Sequence, residues 1–153
     1  MGTGLGKLVR KGLLDSTFGG ASYTLPTALY CCLHTGDPAD DGSATNECTS
    51  TGSYARVDVT NGTSNWNAAT TPSNDAPSIV TNKVAFTFPT ATAQWASGSA
   101  ITHFSIRKTS TIGDTTGSNF VCRGTVTPNT NVINTGNTPS FAAGQLSVSM
   151  DRT

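Results

Sequence analysis

Thr27-Ala-Leu-Tyr-Cys-Cys-Leu-His34 is a nearly continuous apolar run, closed by Pro26 on one side and by Gly36-Asp37-Pro38 on the other. The run has the length of a strand and no polar face, so it predicts a central strand buried on both sides. Outward from it, short β-type runs alternate with turn clusters. Tyr54–Thr60 sets Val57 and Val59 against Arg56 and Asp58, a half-buried strand. Lys83–Phe88 puts Val84, Phe86 and Phe88 on one face and stops at Pro89. Ile101–Lys108, Asn119–Thr127 and Gln145–Asp151 follow, the last alternating Leu146, Val148 and Met150. Gly113-Asp114, Gly117, Pro128-Asn129 and Gly136-Asn137 supply turns between them. Residues 35–53 and 61–77 read as exposed polar loops. Six or seven short strands with no helical period between them predict an all-β fold, an antiparallel β-sandwich or jelly roll.

Composition narrows the function classes. Of 153 residues, 35% are hydrophobic and 12% charged, with nine basic and nine acidic side chains in balance. A charged share near one quarter is usual, so this surface is polar and almost uncharged. Disorder calls for high net charge and few β-branched residues, the reverse of a chain with 27 threonines. Binding to nucleic acid through charge needs a surplus of Lys and Arg that is missing. No apolar run approaches the roughly 20 residues of a membrane helix. Hydroxyls and amides desolvate at lower cost than ammonium and carboxylate groups, which suits a building block packed against other subunits.

The N-terminus alone reads as helix. Leu5, Leu8, Val9 and Leu13 form an apolar stripe, Lys7, Arg10, Lys11 and Asp15 lie largely off it, and Gly19-Gly20 ends it. Residues 1–20 are therefore expected to be a short amphipathic helix or arm, and residues 21–153 a single β-sandwich domain. The stripe is a candidate interface, lying on its own domain or on a neighbouring subunit. Lys7, Arg10 and Lys11 interrupt any secretion signal. Gly2, Gly4, Gly6 and Lys7 fail the phosphate-loop spacing, with Leu8 where Ser or Thr should follow.

No catalytic constellation emerges. His34 and His103 are the side chains that titrate near neutrality unaided, but no nucleophile elbow accompanies them. Both are expected to be strand-end residues bonded to backbone or water. Asp37, Asp40, Asp41 and Glu47 gather in one loop whose order does not match a calcium loop, so a solvated loop is expected. Cys31, Cys32, Cys48 and Cys122 include no Cys-x-x-Cys pair. They read as buried small hydrophobes, with a disulfide formed after release into an oxidising medium as the alternative. Neither metal nor cofactor is expected. Trp95 should be largely buried at a sandwich edge. Trp66, in a loop of Asn, Ser and Thr, is either a contact residue for a partner or a plug over the domain's own core.

Four segments, in order, resemble a group of small virion structural proteins of tailed bacteriophages. They are Pro26-Thr-Ala-Leu-Tyr-Cys-Cys-Leu-His-Thr-Gly-Asp-Pro38, the acidic stretch to Glu47 with Gly52-Ser-Tyr-Ala-Arg56, Phe88-Pro-Thr-Ala-Thr-Ala-Gln-Trp95 with Ile101-Thr-His-Phe-Ser-Ile106, and Asn134–Leu146 ahead of the last strand. Cys31-Cys32 stands where that group has other apolar residues, and the stretch around 61–77 is longer than usual. The resemblance implies a non-enzymatic component of the virion, assembled in the bacterial host cytoplasm, and carries no catalytic residue. Small size, low charge and a separable N-terminus make a capsid decoration or cement protein the first expectation, with the phage major capsid protein and copies of itself as partners. The alternative is a tail-fibre or tail-tip module bound to other tail proteins or contacting the host surface. Interface candidates are Leu5, Leu8, Val9, Leu13 and Trp66.

Overall fold

The computed structural model describes residues 4–70, 77–127 and 131–150. The turn at Pro128-Asn129, residues 71–76 of the second polar loop, Gly2 and Asp151 lie outside the described residues. Among the described residues the fold is all-β apart from one α-helix and three short 3-10 turns. Its strands are β1 (Gly4–Leu5), β2 (Tyr30–His34), β3 (Val57–Asp58), β4 (Ser78–Thr81), β5 (Phe86–Thr87), β6 (His103–Arg107), β7 (Phe120–Thr125), β8 (Ser140–Phe141) and β9 (Ser147–Met150). The helix, α1, spans Lys7–Phe18.

Seven strands form one curled sheet in the order β3-β2-β6-β7-β1-β9-β4, and β5 pairs with β8 as a separate ribbon. The run that opened the sequence reading is the interior strand β2, with Cys31, Cys32, Leu33 and His34 all buried. It pairs along its whole length with β6, from Tyr30 opposite Arg107 to His34 opposite His103. Pairing is antiparallel except between β1 and β9, which are parallel.

Strand alternation separates two chemistries. Leu33 and Phe104 stand opposite each other, and Cys31, Ile106 and Cys122 are in register across three strands. These side chains face the apolar core, with Phe86, Phe88, Trp95, Ile101 and Leu146 packed over them. Rings interlock there: Tyr54 meets the Trp95 ring edge-on at 5.1 Å, and Phe141 meets Phe104 at 5.7 Å. The alternate residues Cys32, His34, Ser105 and Arg107 point to the other face, under α1 and the loop 35–48. Trp95 is fully buried, its indole N–H donating to the Gly52 carbonyl at 2.7 Å.

The segment after β3 closes the curl. Val59 N–H bonds to Leu29 O at 2.8 Å beside β2, whereas Asn67 and Thr70 donate to Thr81 and Ile79 on the free edge of β4. Trp66 lies between these two attachments. Its indole donates to Val59 O at 2.8 Å, its ring meets Phe86 at 5.4 Å, and its backbone bridges to Asn82. Asn82 is fully buried and saturated, donating to the Val84 and Ala142 carbonyls and accepting from Leu146 N–H.

Several expectations change. Leu5, read as the start of the helical stripe, is in a strand, and within α1 only Val9 is buried while Leu8 is exposed and Leu13 half-buried. The stripe is short because Gly6, its N–H bonded to Val121 O, turns the chain from sheet to helix. Val84 is exposed rather than inward. Arg56, expected on the polar face of a half-buried strand, is buried. The loop 35–53 is no solvated excursion: Pro38 and Cys48 are buried and the chain is bonded to the edge of β2, Cys48 N–H to Leu33 O at 2.9 Å.

Candidate functional site

Every carboxylate of the acidic loop has a cation partner. Asp37 pairs with Arg123 on β7, Asp40 with Arg10 at 2.5 Å and Asp41 with Lys7 at 2.7 Å. Lys7 N–H also bonds to Asp40 O. The loop thereby latches the first turn of α1 to the sheet, its acidic groups near the positive end of the helix dipole. Lys7 and the Ser43 hydroxyl and N–H hold Asp41 well below the usual carboxylate range. Asp37, although partly desolvated, is lowered by Arg123 and by Ala39 N–H.

Glu47 is different in kind. It and Arg56 are nearly sealed, at 5% and 0% side-chain exposure, and joined twice, Nε to Oε1 at 2.7 Å and Nη2 to Oε2 at 2.6 Å. The rest of the pair is satisfied by Tyr54 O–H and Gly113 N–H on the carboxylate and by Thr109 O on Nη1. Arg107, equally buried, donates from Nη2 to Gly42 O at 2.6 Å and lies over the Phe120 ring. Its Nη1 is 3.6 Å from Asp114, and Nε and Nη1 make no hydrogen bond.

Beneath this loop lies the one arrangement among the described residues with the order of a nucleophile relay. Ser105 Oγ is 2.8 Å from His34 Nε2, and His34 Nδ1 is 2.9 Å from Asn46 Oδ1. Asn46 Nδ2 donates to Asp37 O, which fixes the amide orientation. His34 therefore donates from Nδ1 and accepts the Ser105 proton at Nε2. His34 does close β2, as expected of a strand-end residue, but its ring nitrogens are held by the Asn46 and Ser105 side chains in a buried network rather than by backbone or water. His34 and Ser105 are at 0% exposure. Burial pushes the imidazole down to about 4, so it is neutral near pH 7. His103 is half-buried and bonds to Thr102 Oγ1.

The four thiols are unpaired and buried. Burial raises Cys32, Cys48 and Cys122 to about 12 and Cys31 well above its ordinary value, so none is a thiolate at neutral pH. Among the described residues no three His, Cys, Asp or Glu side chains are grouped to hold a metal. No helix among them is long and apolar enough to cross a membrane.

An open groove of about 430 Å³ lies at one end of the curled sheet. Its walls come from the strands in spatial order: Leu29 just before β2, Ile106 on β6, Cys122 on β7, Leu5 on β1, Val148 on β9 and Val80 on β4, with Trp66 completing the circuit. Asn61, Thr63 and Asn67 are the polar side chains on its lining among the described residues. An apolar mouth of this size can receive apolar side chains or a small apolar molecule.

Of the five interface candidates, the structure brings Leu5 and Trp66 together in this groove. Val9 is buried under the helix, Leu13 is half-buried and Leu8 is exposed. Trp66 covers the domain's own Phe86 and still borders the groove. Val80 and Leu29 were missed as site residues. Val80 sits in Ser-Ile-Val-Thr, whose β-branched pair was the available signal; Leu29 had been absorbed into the central strand.

A comparison with curated proteins finds no match. The family described as podophage GP4 fiber I protein gp80 matches residues 4–149, from β1 into the last strand. That span covers the sheet, the helix, the acidic loop and the groove, so the chain belongs to this fibre family and is a structural component of a phage virion.

Proposed function

We propose that this chain is a non-enzymatic module of the podophage tail, a fibre or tail-tip component that associates with other tail proteins and with copies of itself. The observation that carries the reading is the match to a fibre family over nearly the whole chain. It favours the tail alternative over decoration of the capsid lattice, whose grounds were small size, low charge and a separable N-terminus. The non-enzymatic part rests on the closure of the Ser105–His34–Asn46 relay: no described cleft is lined by Ser105 or His34, so a substrate carbonyl has no path to Oγ.

The test is stoichiometry in purified particles, by quantitative mass spectrometry against the major capsid protein. A tail module is present at a small fraction of the capsid protein. A ratio near one, or a simple lattice fraction of one, returns the chain to the head, and absence from the particle removes both readings.

A further inference from the structure

The segment that carries Trp66 across the curl contains a dipeptide held on both sides and free in the middle. On one side the Thr60 N–H and hydroxyl are bonded to Asp58, and the Thr60 carbonyl accepts from Asn65 Nδ2 at 2.9 Å. On the other, the Gly62 carbonyl accepts from the N–H groups of Asn65 and Trp66 at 3.1 and 3.0 Å. Between these anchors Asn61 and Gly62 are exposed. Among the described residues nothing is hydrogen-bonded to the Asn61 side-chain amide or to the Gly62 N–H. Asn61-Gly62 is also the one Asn-Gly sequence in the chain. Gly62 is at φ 143°, a backbone region open to glycine and rarely to other residues, and a Cβ built on it would meet nothing within 4 Å. The nitrogen beside the Asn61 amide is thus unhindered, without an acceptor and open to water.

We propose that Asn61-Gly62 is a self-modification site, at which the Gly62 backbone nitrogen attacks the Asn61 side-chain carbonyl and converts Asn61 to isoaspartate. Water is the co-reactant. In the first step the Gly62 nitrogen gives its proton to solvent base and bonds to Asn61 Cγ, while the Cγ–Nδ2 bond breaks. Nδ2 takes up a proton from water and leaves as ammonia. In the second step water adds to a carbonyl of the cyclic imide so formed, and the ring opens. Opening at the Asn61 backbone carbonyl routes the chain through Cγ, an isoaspartyl link; opening at Cγ leaves aspartate. Nothing is oxidised or reduced. Nucleophile and electrophile sit on adjoining residues, so no separate group is needed to bring them together. Other positions lack this freedom. The amides of Asn46, Asn65, Asn67, Asn82 and Asn119 are each held by a hydrogen bond, and none is followed by glycine. Asp41-Gly42 has the right neighbour, but Lys7 and Ser43 hold its carboxylate, Gly42 N–H donates to Ala39 O at 3.3 Å, and the Phe120 ring crowds the glycine. Conversion at Asn61 puts an uncompensated negative charge on a chain with zero net charge, at the lining of the groove. It also inserts a backbone methylene between Val59 and the Trp66 indole bonded to it.

The experiment ages the folded full chain in mildly alkaline buffer made with heavy-oxygen water, beside a sample unfolded in urea. Both are followed by ion exchange and by peptide mapping with fragmentation that distinguishes isoaspartate from aspartate. The native chain is expected to gain an acidic species modified first at Asn61, with isoaspartate exceeding aspartate, oxygen taken up from the solvent, and a rate that rises with pH. A carboxyl methyltransferase that recognises isoaspartate, supplied with labelled S-adenosylmethionine, should label the aged chain and not the fresh one. Asn61→Gln, whose longer side chain closes the ring far less readily, should lose both the acidic species and the methyl label. Its melting temperature should be unchanged, because Asn61 is exposed and unbonded. An Asn61 that stays intact in the native chain while converting in urea overturns the proposal, since the fold then protects the peptide. Native conversion that starts at another asparagine or at Asp41, that yields aspartate without isoaspartate, or that persists at the same rate in Asn61→Gln overturns it equally.

Discussion

Glu47 and Arg56 are nine residues apart and form a twice-bonded ion pair with almost no exposure to water, joining the acidic loop to the chain entering β3. Desolvation of such a pair offsets much of its attraction, but removing one member strands the other. Glu47→Gln is therefore expected to cost about 3–5 kcal/mol of unfolding free energy. The double variant Glu47→Gln/Arg56→Met should lose less than the sum of the single changes, a coupling that urea denaturation of all four chains measures directly.

Stability should also fall on mild acidification. The His34 imidazole has a folded value of about 4 against 6.5 when free, so the unfolded chain binds the proton first. The contribution is complete above pH 6.5, declines as pH drops towards 4 and is gone below that. Its full size is about 3 kcal/mol. Urea midpoints across that window should show the slope in the wild type and lack most of it in His34→Gln. An equal slope in both would place the titrating group elsewhere.

The thiols give a third expectation. With Cys31, Cys32, Cys48 and Cys122 buried and protonated, a thiol-specific reagent at neutral pH should leave the native chain unmodified and label all four in denaturant. Rapid labelling of any one under native conditions would contradict its burial.

Two glycines with similar backbones separate strain from collision. Gly42 and Gly113 have φ of 70° and 76°. A methyl group at Gly42 would strike the Phe120 ring and the Arg107 guanidinium, whereas at Gly113 it meets nothing within 4 Å. Gly113→Ala should cost only the left-handed penalty, about 1–2 kcal/mol. Gly42→Ala should cost clearly more, because Arg107 would also lose its bond to Gly42 O. Equal losses in thermal melts would mean that the loop over Phe120 yields freely.

The parts of this fold that were legible share one property: their pattern is contained within a few residues. Thr27–His34, Ile101–Lys108 and Asn119–Thr127 announce β2, β6 and β7 through apolar runs and turn residues. Strands β1, β4 and β8 were missed because their pairing comes from distant partners; Gly4–Leu5 has too few residues to show any period. Arg56 looked solvent-facing because alternation along its strand cannot reveal that Glu47 and Thr109 O converge on it. The aspartates looked solvated for the same reason, since Lys7, Arg10 and Arg123 lie 30 or more positions away. Trp66 was singled out from composition alone, but the groove it borders is built by six strands or strand approaches and had no signature in the sequence.

The placement of β1 between β7 and β9 sets a timetable for synthesis on the ribosome. Gly4 and Leu5 are made first among the described residues, yet their neighbours are residues 120–125 and 147–150. The two halves of the sheet cannot be stitched until the last of these has emerged, so the sheet closes only after residue 150 has been made, long after β1 itself. Until then β2 and β6 can pair while β4 waits with an open edge, the state most exposed to pairing with another nascent chain. A stalled or nonsense-truncated product ending before residue 147 would carry that open edge permanently. Its expected fate in the infected cell is aggregation or proteolysis, not incorporation as a shortened subunit.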